Sequence, residues 1–362
     1  MRPRAAGPGA DQTAQRHAAP RAAALSVAAS ALALMLALAA AAPAGAAPAK
    51  GFQFGVIGHS FKASADAAVL RRAIAEASAG NAAFVVATGI KAASEPCSDK
   101  LYGQRRAMFD AADKPMIVSL AGSDWTGCKN SAGRSNAIER LNRLRELYFA
   151  DAQSLGERRL GLTRQSASAK FRSYAENAHW EYGNVLFATL NLPARNNHFL
   201  PEAGRNSEFE DRLVANRAWL QRLFTLAARK RLAGVVLFCD GDPGLQADEG
   251  FSLLAGFQSK PNKQDGFAEP RRQLKTLAEK FDGKVLLVDA QGGAQSANGN
   301  AAGNGNGNGN AASAAATGGE PAIVWRGNLG QLSLAAEWAE LRVSPGAAAL
   351  FTVKGGGADA AQ

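Results

Sequence analysis

The sequence has 362 residues, of which 47% are hydrophobic and 20% are charged, and its formal net charge is +10. Lysine and arginine are spread along the chain and form no basic run interleaved with aromatic residues, which argues against a nucleic-acid-binding protein. Outside the first fifty residues no apolar stretch approaches the length of a membrane span, so we expect none in the mature chain.

The first 46 residues have the pattern of a secretory signal peptide. Arginines precede an uncharged run over residues 22–42, and Ala44-Gly45-Ala46 offers a small-residue cleavage pattern. An uncleaved membrane anchor is the alternative, but the run is mostly alanine, which partitions weakly into a bilayer. We expect a mature chain from about Ala47, exported to the periplasm or secreted. Cleavage removes four arginines and one aspartate, so the net charge falls from +10 to about +7.

Beyond the signal peptide, short apolar runs typical of strands alternate with stretches of helical periodicity. Strands are predicted at 52–57, 84–87, 115–120, 180–192 (a hairpin turning at 182–184), 232–238, 284–288, 323–325, 340–343 and 350–353. Helices are predicted at 64–79 (with Ser64 as N-cap), 101–112, 137–148, 210–231 and 270–281. In the third helix Ile138, Leu141, Leu144 and Leu147 are predicted to face inward. This alternation predicts a layered α/β domain over residues 47–354.

Two segments have too few apolar residues to pack into that domain. Residues 295–319 are almost entirely Ala, Asn, Gly and Ser, and residues 355–362 are rich in glycine. We expect a disordered insertion and a disordered tail, respectively, since neither can bury apolar surface.

Three cysteines remain after cleavage, in a compartment where disulfides persist. Cys97 and Cys128 lie in loop-like sequence, whereas Cys239 ends an apolar run and has the pattern of a buried strand residue. A Cys97–Cys128 disulfide with a free Cys239 is the predicted arrangement; three free thiols are the alternative.

Several motifs follow one another at the predicted strand ends. They are Phe84-Val85-Val86 leading to Lys91, Pro96-Cys97-Ser98-Asp99, Asp124-Trp125-Thr126-Gly127-Cys128, the stretch from Trp180 to Leu190, Asn196-Asn197 and Asp242-Pro243-Gly244. In this order and spacing, from about 52 to 353, the chain resembles the calcineurin-like metallophosphoesterases, particularly an exported bacterial branch. The resemblance implies a four-layer sandwich of two mixed β-sheets flanked by helices. In active members two metal ions at the strand ends activate a hydroxide that attacks a phosphate ester.

The positions that match the family's metal ligands carry other residues in this chain. They are His59 in place of the first Asp, Gly89 at the motif of the bridging acid, Ser123 in place of the amide ligand, Asp240 near a lost His, and Gln291 and Gly293 in place of the last two imidazoles. The chain has four histidines in all, including one in the signal peptide. A site for two metal ions needs about three imidazoles with two carboxylates. The resemblance therefore implies no catalytic residue, no metal ligand set and no cofactor.

An alternative metal site remains open. Aspartates near the predicted strand ends could hold Ca²⁺ or Mg²⁺, although loop aspartates more often cap helices and make turns. They are Asp99, Asp124, Asp240, Asp242 and Asp289, with His59 and His198 as further candidates. His179 lies in a predicted strand and is interpreted as structural.

The predicted function is that of a non-catalytic binding protein with an unknown ligand at the former active-site cleft. One alternative is a metal-dependent phosphoesterase, a hydrolase with a rebuilt site for Mn, Zn or Fe. The other is a structural protein associated with the cell envelope. Convergence of at least three of the candidate ligands would favour the hydrolase.

Overall fold

Two mixed β-sheets and five helices of three turns or more form the described part of the chain. The structure, a computed structural model, describes residues 50–58, 67–201, 206–246, 264–292 and 321–356. The strands are β1 (Phe52–Ile57), β2 (Ala82–Thr88), β3 (Met116–Ser119), β4 (Thr163–Arg164), β5 (Ala178–Tyr182), β6 (Val185–Thr189), β7 (Gly234–Phe238), β8 (Lys284–Asp289), β9 (Val324–Arg326), β10 (Leu329–Ser333), β11 (Trp338–Val343) and β12 (Phe351–Gly356). The helices are α1 (Ala67–Ser78), α2 (Asp99–Asp110), α3 (Ala137–Tyr148), α4 (Ser207–Arg229) and α5 (Ala268–Glu279).

Each sheet combines a set of parallel strands with antiparallel neighbours. The five-stranded sheet has the order β12-β11-β1-β2-β3, in which β1, β2 and β3 are parallel. The seven-stranded sheet has the order β4-β5-β6-β7-β8-β10-β9, in which β6, β7, β8 and β10 are parallel. Parallel neighbours require crossover connections, and the helices supply most of them.

The core between the two sheets is largely aromatic. Phe54 and Phe84 of the five-stranded sheet pack on Trp180, Phe187 and Phe238 of the seven-stranded sheet. Ring centroids of Phe84 and Phe187 lie 5.0 Å apart, and those of Phe84 and Trp180 lie 5.4 Å apart in an edge-on arrangement. Large rings fill the space between facing sheets, so this layer supplies much of the apolar burial.

Helices cover the outer face of each sheet. Buried residues of α1, α2 and α3, such as Leu70, Tyr102 and Leu144, share one core with the five-stranded sheet. Buried residues of α4 and α5, such as Trp219 and Leu274, share another with the seven-stranded sheet. The prediction of a four-layer α/β sandwich with two mixed sheets is therefore confirmed.

The hairpin predicted at residues 182–184 joins β5 to β6. Gly183 and Asn184 both have positive φ, at 53° and 66°, as the tight turn between two strands requires. A Cβ at Gly183 would lie 2.3 Å from the Phe52 ring, so the turn also needs glycine for close packing.

One inward-facing residue was predicted wrongly, and several predicted features lie outside the described residues. Ile138 is 51% exposed, because the buried face of α3 carries Leu141, Leu144 and Tyr148. The signal peptide, Ser64, the 295–319 insertion and residues 357–362 fall outside the described ranges. The tail predicted from residue 355 begins too early, because Gly355 and Gly356 belong to β12 and pair with Ala339 and Trp338 of β11. No helix within those ranges is long and apolar enough to cross a bilayer.

A disulfide joins Cys97 to Cys128, as predicted, and Cys239 is a buried free thiol. The two Cα atoms lie 5.8 Å apart, across a separation of 31 residues. The bond links the loop before α2 to the segment after β3. Closing a loop of this length restricts the unfolded chain and so stabilises the fold.

We expect the double variant Cys97→Ser/Cys128→Ser to lose roughly 3 kcal/mol of unfolding free energy, because its unfolded chain regains loop entropy. Urea denaturation followed by circular dichroism measures the difference. Wild-type protein held in dithiothreitol is the control and should show the same loss. Equal stability of oxidised and reduced wild-type protein would contradict this prediction.

Candidate functional site

The segments that follow the parallel strands of both sheets meet at one edge of the sandwich. We call Lys91, Ser123, Asp124, Asp240 and Gln291 the strand-end cluster; these residues follow β2, β3, β7 and β8. The carboxyl ends of parallel strands are where α/β proteins place their binding sites. All five side chains form hydrogen bonds within the protein, and the cluster is mostly buried.

Asp124 holds together the loops that leave β2 and β3. It ends a short 3₁₀ helix, Gly122–Asp124, and is fully buried. Its Oδ1 accepts hydrogen bonds from the backbone N–H groups of Ile90 (2.8 Å) and Lys91 (3.1 Å). Its Oδ2 accepts from the N–H of Ala121 at 2.7 Å. Both carboxylate oxygens are therefore engaged by the chain itself.

Asp240 connects the two sheets. It follows β7 and is 1% exposed. Its Oδ2 accepts from the N–H of Gly122 (2.7 Å), which follows β3, and from the N–H of Ala194 (2.8 Å). The amide nitrogen of Gln291 donates to the Asp240 carbonyl at 2.9 Å and to its Oδ1 at 3.2 Å. Gln291 stands where the resemblance expects an imidazole ligand, and it is a donor to Asp240 instead.

Lys91 places a buried amine beside Asp124. Its Nζ donates to the carbonyl oxygens of Ala92 (2.8 Å) and Glu95 (3.0 Å). Burial lowers the pKa of Lys91, and the negative charges of Asp124 and Glu95 partly oppose that shift. Ser123 donates through its hydroxyl to the Lys91 carbonyl at 3.0 Å. A positive charge at this position disfavours a second cation.

A second group of carboxylates lies beside the cluster. Gln331 of β10 donates to Asp289 (2.7 Å) and to Asp242 (2.8 Å), and Ser333 donates to Asp289 at 2.8 Å. Burial raises the pKa of Asp289 to about 6; the hydrogen bond from Gln331 opposes the shift and the charge of Asp242 adds to it. Asp242 also accepts from the N–H of Gly244 at 2.7 Å, which is the turn interaction expected for Asp-Pro-Gly.

A strained turn borders the strand-end cluster on the side of β6. Four successive residues, Arg195 to His198, have φ between 53° and 60°. Such left-handed backbone costs roughly 1–2 kcal/mol for each L-residue, although asparagine tolerates it better than most. The turn begins next to Ala194, whose N–H binds Asp240.

A buried arginine fixes this turn to helix α4. The Arg212 side chain is fully buried and donates to the carbonyl of Asn197 at 2.9 Å and to Glu208 at 2.7 Å. His198 lies 3.2 Å from Glu208 through Nδ1, and its ring contacts Trp125 edge-on at 4.7 Å between centroids. Burial would raise the pKa of Glu208, but Arg212 and His198 outweigh burial and lower it to about 2.

The remaining candidates do not join the cluster. Asp99 begins α2 and forms exposed ion pairs with Arg140 and Arg143, both at 2.9 Å. His179 lies in β5 and is buried; burial first and Arg222 second lower its pKa to about 4. His59 and Gly293 lie outside the described residues.

The candidate metal ligands do not converge in the described part of the chain, where no three His, Cys, Asp or Glu side chains are grouped so that they could hold an ion. Gly89 has a φ of 86° and donates its N–H to Ser119 at 2.9 Å, so it contributes backbone alone. The donor set that the described residues offer therefore does not fit two metal ions.

Sequence reasoning missed Lys91, Glu208, Arg212, Gln331 and Ser333 as members of these networks. Gln331 and Ser333 lie on β10, which was not predicted as a strand. Arg212 lies within a correctly predicted helix, and its place on the buried face, in register with Ala215 and Trp219, was a usable signal.

A comparison with protein-family models finds no match for this chain, and a comparison with curated protein sequences finds none either.

We expect Asp124→Ala to lower the unfolding free energy by roughly 3 kcal/mol or more, because three buried N–H groups lose their acceptor. Asp124→Asn retains one acceptor oxygen and should fall between Asp124→Ala and wild type. Urea denaturation measures both. Asp113→Ala, an exposed aspartate, is the control and should be neutral. A neutral Asp124→Ala would show that these hydrogen bonds carry no stability.

We expect Glu208→Gln to lose roughly 3 kcal/mol of stability at neutral pH and to reduce the sensitivity to acid. The folded-state pKa of Glu208 is below its ordinary value of 4.5, so its contribution is fully present above pH 4.5. The contribution is lost as the pH falls through about 2. Denaturation curves across this range measure it, with the exposed Glu210→Gln as control. Identical acid dependence of Glu208→Gln and wild type would refute the assignment.

Proposed function

We propose that this protein is an exported, non-catalytic relative of the calcineurin-like metallophosphoesterases, with a strand-end surface that serves binding. One observation carries the proposal: the carboxylates at the strand ends are bound to the protein's own N–H groups. Asp124 accepts three backbone donors, and Asp240 accepts two together with the amide of Gln291.

The chemistry of metal ligation explains why this arrangement supports a non-catalytic protein. A carboxylate that bridges two cations offers its oxygen lone pairs to the ions, and it needs further imidazole or carboxylate ligands nearby. In this chain the corresponding positions carry Ser123, which donates to the Lys91 carbonyl, and Gln291, which donates to Asp240. The positive charge of Lys91 then partly balances the carboxylates that remain.

The strained turn at Arg195 to His198 supports a binding role for the same edge. Backbone strain persists where surrounding contacts enforce it, and it concentrates at functional sites. Here the Arg212 side chain donates a hydrogen bond to the carbonyl of Asn197 in the turn. The side-chain oxygen of Asn196 accepts a hydrogen bond from the N–H of Gly266 at 2.7 Å. Arg195 is exposed at the start of the turn and is available to a ligand.

The proposal that the protein is exported rests on two features. The sequence begins with the pattern of a cleavable signal peptide, and the Cys97–Cys128 disulfide suits an oxidising compartment.

The test is a phosphatase assay with aryl phosphate mono- and diesters in the presence of Mn²⁺, Zn²⁺ or Fe²⁺. We expect no metal-stimulated turnover, and no rise in the melting temperature of wild type with these ions beyond the rise seen for Asp240→Asn. Turnover that a chelator abolishes, and that Asp240→Asn removes while Asp113→Ala keeps it, would overturn the proposal and favour the hydrolase with a rebuilt site.

A further inference from the structure

Positive charge collects at the edge of the seven-stranded sheet opposite the strand-end cluster. We call this surface the basic edge; it consists of Arg229, Lys230, Arg231, Lys280, Lys284 and Arg326. Helices α4 and α5 both end where the next strand begins, and β7 and β8 are parallel neighbours with Gly234 opposite Lys284. The N–H of Lys284 donates to the Ala233 carbonyl at 3.0 Å, so these segments lie side by side.

The basic edge is exposed and only partly neutralised. All six cationic residues are exposed, and the acidic residues that the structure describes at the same edge are Glu181, Glu279 and Asp282. Among the described residues, six positive and three negative charges therefore give this edge a net charge of +3. Lys230 pairs with Glu181 at 2.6 Å, whereas no described carboxylate pairs with Arg229, Arg231 or Lys280. A patch of this kind attracts an anionic partner.

Exposed apolar side chains continue the basic edge along β9. Val324 is 54% exposed and Trp325 is 36% exposed. The Lys284 ammonium lies 5.3 Å from the centre of the Trp325 ring, and that ring is also nearly parallel to the Phe351 ring, with 6.5 Å between the two centroids. Trp325 is therefore held in place, beside a cation, with a third of its surface in solvent.

This combination favours one kind of anionic partner. A polysaccharide polyanion in solution is recognised mainly through its charge and offers no apolar layer to Val324 and Trp325. A membrane surface also accommodates tryptophan at the level of the lipid headgroups, while lysine and arginine are drawn to anionic lipids. We propose that the basic edge and β9 bind the surface of a membrane that contains anionic phospholipids.

Such binding would present the strand-end cluster away from the lipid. The parallel strands β6, β7 and β8 run from the basic edge to the cluster, a distance of roughly 17 Å for a five-residue strand. The inference does not depend on the proposed function, because it concerns the opposite edge of the sheet.

The experiment is co-sedimentation of the purified protein with phosphatidylcholine vesicles, with and without phosphatidylglycerol, at low and high salt. We expect binding only to the phosphatidylglycerol vesicles, weakened by salt. The variant Arg229→Glu/Arg231→Glu/Lys280→Glu should bind at least about tenfold more weakly. Trp325→Ala should weaken binding and retain its salt dependence.

The matched control is Lys129→Glu/Arg134→Glu/Arg172→Glu. It makes the same change in net charge at exposed positions away from the basic edge and should bind as wild type does. Circular dichroism and melting temperature establish that every variant is folded. Equal losses in the two triple variants would refute the proposal, since net charge alone would then explain binding. The proposal would also fail if Trp325→Ala bound the vesicles as wild type does and a soluble polyanion such as heparin displaced the protein from them completely.

Discussion

The hydrogen bonds of Asp240 are the interaction on which the arrangement of the strand ends depends. This buried carboxylate follows β7 of one sheet and accepts an N–H from Gly122, which follows β3 of the other. The aromatic core between the sheets resists separation, but apolar contact has no preferred direction and does not fix how one sheet is placed over the other. A short bond from backbone to carboxylate is directional, and in a buried setting it is costly to break. Asp240 therefore sets the alignment that lets Asp124 and the turn after β6 occupy their places.

The parts of this fold that could be predicted from the sequence are those whose burial is uniform. Strands such as β6, β7 and β8 are continuous apolar runs, and each was predicted within a few residues. Strand β10 could not be predicted, because Gly330, Gln331 and Ser333 interrupt its apolar pattern. Gln331 is buried and donates to Asp289, a partner 42 residues away from it in sequence. The strand-end aspartates were identified from the sequence as candidate metal ligands. Their role as acceptors of backbone hydrogen bonds could not be predicted. Whether a carboxylate binds a metal ion or a backbone N–H is decided by loops that come from distant parts of the chain.

The left-handed turn and the buried ion pair beneath it form one energetic unit. Strain in four successive residues needs a compensating interaction, and Arg212 supplies it through bonds to Asn197 and Glu208. Burying the guanidinium is unfavourable in itself, so Glu208 must remain charged and both partners must stay in place. Trp125 belongs to the segment after β3 of the other sheet. The centre of its ring lies 5.9 Å from the guanidinium carbon of Arg212, so it contacts this ion pair from that sheet. Substitution of any one of these residues would thus destabilise the packing of both sheets.

The position of the disulfide bears on when the chain folds. Cys128 lies four residues after Asp124, and its sulfur lies 3.6 Å from the Asp124 carbonyl. Cys97 lies in the loop that follows Lys91, whose N–H binds the same aspartate. Forming the disulfide and closing the hydrogen bonds of Asp124 thus bring together the same two stretches of chain, and each makes the other more favourable. Under reducing conditions that mutual support is missing, because the hydrogen bonds of Asp124 must then form without the covalent link. This edge of the sandwich therefore closes more readily in an oxidised chain than in a reduced one.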